Sequence, residues 1–170
     1  MHRFILYIFG FFILAQANAL ACNFKIANFG SPKENIKIEP IQPVLMPDRF
    51  GGESLVIPME DLCKSDKSLY GTTVIYLYIE NKLTRIQLYR PNMKDSKLMN
   101  YAMGRYRSFN LPEGVPKSRW RGNYFWESGN DTIEYIKTDI HDGYAEIIDI
   151  TSKLYSCLLY TSPSPRDLTA

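Results

Sequence analysis

Histidine is scarce in this chain of 170 residues: there are two, and one of them is His2. His141 stands in a His-Asp-Gly turn, so a Ser/His/Asp or Cys/His arrangement for nucleophilic catalysis has too few parts. No glycine-rich phosphate loop occurs, and no metal-ligand spacing of His, Asp or Glu stands out, so neither a cofactor nor a metal is expected. A large charge excess is also missing. Twenty Lys and Arg face eighteen Asp and Glu, which excludes a dedicated nucleic-acid binder on bulk charge. Long hydrophobic runs are missing too: Phe4 to Leu14 is unbroken for 11 residues, about half of the roughly 20 that cross a bilayer as a helix.

That short run has the flanks of a secretory signal peptide. Met1-His2-Arg3 is basic, and the small residues after the run offer A-x-A sites at Ala17-Asn18-Ala19 and Ala19-Leu20-Ala21. Cleavage and export of residues 1–21 are expected, placing the protein in the periplasm or outside the cell. At the other end, "CLLYTSPSPRDLTA" breaks abruptly with the composition before it. Its Ser-Pro-Ser-Pro run cannot continue a strand ladder, because proline has no N–H to donate. The string resembles translated sequencing-adaptor tails. Residues 157–170 are therefore set outside the fold, either as such a tail or as disordered chain, leaving one domain over 22–156.

Cys22 and Cys63 are the cysteines of that domain. In an oxidising compartment an even count reads as a disulfide, here closing a loop of about 40 residues. The rival is lipidation of Cys22, for which Ala19-Leu20-Ala21-Cys22 is a loose lipobox: the protein would then meet the membrane. The disulfide is favoured. Two cysteines with no histidine near them make a poor zinc site. Charge is unevenly spread. Glu80 to Arg121 holds ten Lys and Arg against three Asp and Glu, whereas 122–156 holds two against seven. The two halves either face each other or are solvated separately; the sharper reading is a basic face for an anionic partner such as lipid headgroups or glycan phosphates.

The clearest element is "TTVIYLYIENKLTRIQLY", residues 72–89, two β-rich runs around Glu80-Asn81-Lys82 that predict a tight hairpin. Its first strand is apolar on both faces, as in the middle of a sheet. In its second, Leu83, Arg85 and Gln87 alternate with Thr84, Ile86 and Leu88. "SLVIP" is a candidate strand, and "SPKENIKI" opens a short helix with Pro32 at its start. "EPIQPVLMPDRFGG", with three prolines, reads as a long loop. "KDSKLMNYAMGRYRSF" has helical spacing, with Asp95 or Ser96 as cap and Leu98, Ala102, Tyr106 and Phe109 on one face. The last third predicts a meander over 122–151 with turns at 129–131 and 141–143. The predicted architecture is α+β: an antiparallel sheet, hairpin 72–89 plus meander 122–151, with one or two helices packed on one face.

"SRWRGNYFW", residues 118–126, mixes cations with large aromatics. Aromatics stack on sugar rings and arginines hold phosphates and carboxylates, so Arg119, Trp120 and Arg121 are the leading contact residues, with Arg105 and Arg107 behind them. Strand alternation sends Phe125, or else Tyr124 and Trp126, into the core, and leaves Trp120 as the better candidate for exposure. Glu127, Asp131, Glu134 and Asp139 are the carboxylates a glycan hydrolase could draw on, though any acidic hairpin holds such pairs.

The leader, "ACNFKIANFG", "PMEDLC" and "IYLYIENKLTRIQL" together resemble small exported proteins of marine alphaproteobacteria, a likeness that implies export and no activity. A weaker one is to BamE-type modules of outer-membrane assembly, through the capped turn at Gly30-Ser31 and the Asn81-x-Leu83 hairpin. The expectation is a non-enzymatic envelope domain with no catalytic residue assigned, binding an anionic envelope glycan, lipid headgroup or envelope protein. A lipid-anchored assembly accessory, or a carboxylate-dependent hydrolase, is the alternative.

Overall fold

The computed structural model describes residues 22–36, 44–47, 52–64, 67–91 and 94–161. The predicted signal peptide and residues 162–170 of the predicted tail lie outside them. Seven strands form one antiparallel sheet in the order β1-β2-β3-β4-β7-β6-β5. They are β1 (Val44–Pro47), β2 (Glu53–Pro58), β3 (Thr73–Ile79), β4 (Lys82–Pro91), β5 (Gly122–Ser128), β6 (Asp131–Ile140) and β7 (Gly143–Ser152). The helices are α1 (Met59–Leu62), α2 (Lys97–Tyr106) and α3 (Ser156–Thr161), after a single 3-10 turn at Lys33–Asn35. Hairpin and meander are thus joined into one sheet along β4 and β7, and the α+β reading holds.

Local chemistry explains the elements. Glu80 and Asn81 both have positive φ, 52° and 57°, the two-residue turn whose twist matches antiparallel strands. β3 lies between β2 and β4, which is why both its faces are apolar. Val74, Tyr76 and Tyr78 enter the main core, and Leu77 and Ile79 are buried on the reverse side. Alternation in β4 is broken by a register shift opposite Leu77 and Tyr78. Strict alternation sets Leu83 beside Arg85 and Gln87. The bulge instead turns Leu83 into the core with Ile86 and Leu88, while buried Thr84 bonds the Leu77 carbonyl. The proline-rich stretch is not loop throughout: Val44–Pro47 pairs with β2 at the sheet's edge, where a proline at the strand's end costs no ladder bond.

α2 covers the core face through Leu98, Met99 and Ala102, which pack in one cluster with Phe24, Ile57, Met59, Tyr135, Ile148 and Ile150 among others. Cys22 and Cys63 are joined by a disulfide with Cα atoms 5.5 Å apart, which ties the N-terminal segment beside α1. Ser152 is followed by a turn into α3, so helix runs five residues past the expected boundary at 156. α3 lies over the reverse face near Arg85, Thr132 and Phe125, not on the face that α2 covers.

Tyr76, Tyr78, Tyr106 and Tyr135 are all held neutral well above the ordinary value of 10.0, chiefly by burial. The unfolded chain releases these protons from about pH 10 upward and the folded chain does not. Their stabilising effect is therefore complete below pH 10 and lost above it, at roughly 1.4 kcal/mol per pH unit for each group. Lys137, whose ammonium burial pulls below 10.5, acts in the opposite sense, but it is one group against four. Denaturant midpoints should stay level to about pH 9.5 and then fall steeply. A midpoint unchanged at pH 11 would contradict this account.

Candidate functional site

The five basic and aromatic residues singled out above do not converge. Arg105 lies in the last turn of α2 and Arg107 just beyond it. Arg121 sits at the opposite end of the helix. Its guanidinium lies 4.5 Å from the Tyr144 ring, whose hydroxyl donates to the Asp95 carbonyl just before α2 begins. A ten-residue helix separates the two groups by about 15 Å. Arg121 is also engaged within the chain: it pairs with Asp139 at 2.6 Å and donates to the Ser118 and Trp120 carbonyls. Arg119 is exposed beside it.

Trp120 is not the exposed member. It is half-buried, its ring 6.0 Å from Tyr135 in a stacked arrangement and 5.4 Å from Phe109. Gly122 makes this possible: its φ is +147°, and a Cβ there would meet the Trp120 ring at 2.9 Å. Phe109 is the hub, stacked on Tyr124 at 4.4 Å and edge-on to Trp126 at 5.8 Å. The Trp126 indole N–H donates to the Arg107 carbonyl at 2.9 Å, which holds Arg107 at φ 138°, a conformation few side chains adopt. Of the aromatics in 118–126, Trp126 fills the core, and Phe125, on the reverse face, is 55 % exposed.

The proposed acids do not converge either. Asp131 pairs with Lys25 and Asp139 with Arg121 on one face of the sheet; on the other, Glu127 pairs with Lys153 and Glu134 accepts from Asn123. The Lys153 ammonium holds the Glu127 carboxyl below its ordinary value, the wrong direction for a general acid. His141 is a fully solvated turn residue. Among the described residues no three His, Cys, Asp or Glu side chains group to hold a metal ion.

Two other features stand out. The first is a row of buried charge across three strands: Arg90 of β4 faces Glu146 of β7, which faces Lys137 of β6. All three are at most 2 % exposed. The Glu146 carboxylate accepts from the Leu98 and Met99 amides at 3.3 and 3.0 Å and from the Tyr135 hydroxyl at 2.7 Å. It caps the N-terminus of α2 from the sheet; of the two caps the sequence offers, Asp95 accepts from the Lys97 amide at 3.4 Å, whereas Ser96 bonds no amide of the first turn. Lys137 donates to the Ser96 hydroxyl and the Lys117 carbonyl and lies 4.3 Å from the Tyr144 ring. Arg90 pairs with Asp95 and donates to the Tyr70 carbonyl. Nearly every donor and acceptor in the row is thereby used, which marks it as a support for α2.

The second is a pocket of about 380 Å³ between the N-terminal segment, the end of α2 and the sheet. Its walls include Phe24, Tyr101, Tyr106 and Ile133, and its charged groups are Arg105 and the Lys25–Asp131 pair. Since that pair is neutral as a unit, Arg105 leaves the pocket with one positive charge. Cys22, one end of the disulfide, is part of its wall. Of the five contact residues expected from the sequence only Arg105 lines it, beside Cys22 and Asp131, which the sequence marks for other roles. Phe24, Tyr101 and Tyr106 carried no signal of their own, because helical spacing marks Tyr106 as plain core.

No protein-family model, no curated protein and no solved structure matches the chain. No helix among the described residues is long and apolar enough to cross a membrane.

Proposed function

We propose that this is an exported, non-enzymatic domain of the bacterial envelope that binds an anion carried on a sugar-like or apolar body, at the pocket edged by Arg105. The observation that carries the reading is that pocket: a concave site of ligand size with aromatic walls and one net cation. Aromatic faces stack on rings while a guanidinium takes a carboxylate or phosphate in two parallel bonds. The leader pattern of residues 1–21 and the Cys22–Cys63 bond both favour export, disulfides persisting where the surroundings are oxidising. While that bond is intact, Cys22 has no thiol to acylate, which argues against the lipid-anchored alternative.

The ligand is either a soluble acidic glycan or a lipid headgroup. Calorimetry with oligogalacturonate and flotation with phosphatidylglycerol vesicles separate the two. One of them should bind, more weakly at 500 mM than at 50 mM salt by virtue of screening. Arg105→Ala should weaken that binding about tenfold. Arg119→Ala, at the other end of α2, should leave it unchanged. Binding indifferent to both salt and Arg105, or none to either probe, overturns the proposal.

A further inference from the structure

The two edges of the sheet are built differently. β1 is four residues long and ends in Pro47, both devices that discourage another strand from adding on. β5 is seven residues, GNYFWES, without proline or lysine, and it pairs only with β6. Its backbone is free to pair on the other side, and among the described residues no strand does so. Phe125 and Tyr124 are 55 % and 38 % exposed along this edge, one on each face. An unguarded edge of this length is a template for strand addition.

We infer that the occupant of the β5 edge is a second copy of this chain, paired antiparallel about a twofold axis at Phe125. Charge decides for self-pairing. The chain enters β5 through Arg119 and Arg121 and leaves it through Glu127 and Asp131. An antiparallel twofold lays the basic entry of one protomer along the acidic exit of its partner, twice over. Within the strands the register sets Phe125 against Phe125, Tyr124 against Trp126 and Asn123 against Glu127. No like charges are directly opposed, and each carboxylate meets a side-chain amide. The ion pairs already present, Arg121 with Asp139 and Glu127 with Lys153, are exposed, so sharing their charge with a partner costs little.

Sedimentation equilibrium of the purified protein tests this directly. A monomer–dimer equilibrium should appear in the micromolar range, where a small, partly aromatic interface falls. Phe125→Lys should weaken it by tenfold or about that, since it puts two cations on the axis. Its melting curve should be unchanged, because the side chain fills no core. Arg119→Glu and Asp131→Lys, which the register sets opposite each other, should each weaken the dimer, and the double variant should restore it. A protein that stays monomeric to about 100 μM, or a dimer indifferent to Phe125→Lys, overturns the inference. An extended peptide that binds this edge of a monomer does the same.

Discussion

Replacing Glu146 with alanine should cost about 3–5 kcal/mol, a large part of the 5–15 kcal/mol that holds a domain of this size together. The carboxylate is fully buried and accepts three hydrogen bonds, two of them from the first turn of α2. Truncation leaves those amides and the Tyr135 hydroxyl without an acceptor. It also leaves Lys137, 1 % exposed, without the carboxylate that favours its ammonium, while Arg90 keeps Asp95. Each of those losses is the costly kind: a buried group stripped of its partner, not a pair removed together. Glu146→Gln, which keeps shape and one acceptor oxygen, should fall between. Urea midpoints measure both. An alanine variant within about 1 kcal/mol of the parent would mean that water replaces the carboxylate and that the row is not a support.

Opening the disulfide comes next. Cys22 and Cys63 are 41 residues apart, and a loop of that length is worth about 4 kcal/mol in the chain-entropy account. Cys63→Ala, or reductant, should lower stability by that order. The loss should fall first on the N-terminal segment, which is otherwise held by buried Phe24 and Ala27, by the Tyr76 hydroxyl donating to the Phe24 carbonyl, and by the Gly30 and Leu83 backbone bonds. Limited proteolysis should therefore cut near residues 22–36 before the sheet is touched. Since Cys22, Asn23, Phe24 and Lys25 are one wall of the pocket, ligand binding should weaken along with it. Equal protease resistance with and without reductant would show that packing alone holds the segment.

Much of the fold can be read from residue order, because antiparallel neighbours announce themselves locally. The period-two runs of 72–89 and 122–151, the turns at 129–131 and 141–143 and the apolar stripe of α2 each depend on residues a few positions apart. What depends on distant partners is not readable in that way. The bulge that redirects Leu83 is a property of two strands together. β1 hides among three prolines because its pairing, not its composition, makes it a strand. Trp120 looks exposed until the returning chain sets Phe109 against it. The buried row left a faint trace: Glu146 lies at the core-facing period of Tyr144, Ile148 and Ile150, and Lys137 at that of Ile133 and Tyr135. A charge at such a position is either an error in the assigned period or a partner to something. Arg105 could be named as a cation, but its pocket is made by a segment 80 residues earlier, brought there by the disulfide.

The strand order bears on how the chain reaches this state. Every neighbouring pair in the sheet is consecutive in sequence except β4 with β7. Hairpins close in microseconds, since their loops are short and the entropy of closure is small. The β4–β7 seam instead joins residues such as Arg90 and Glu146 across α2 and the whole of β5 and β6. Two sets of hairpins should thus form early, with docking along this one seam as the slow step. The charges buried there can be satisfied only in the correct register, so the seam that closes last is also the one that rejects a slipped alignment.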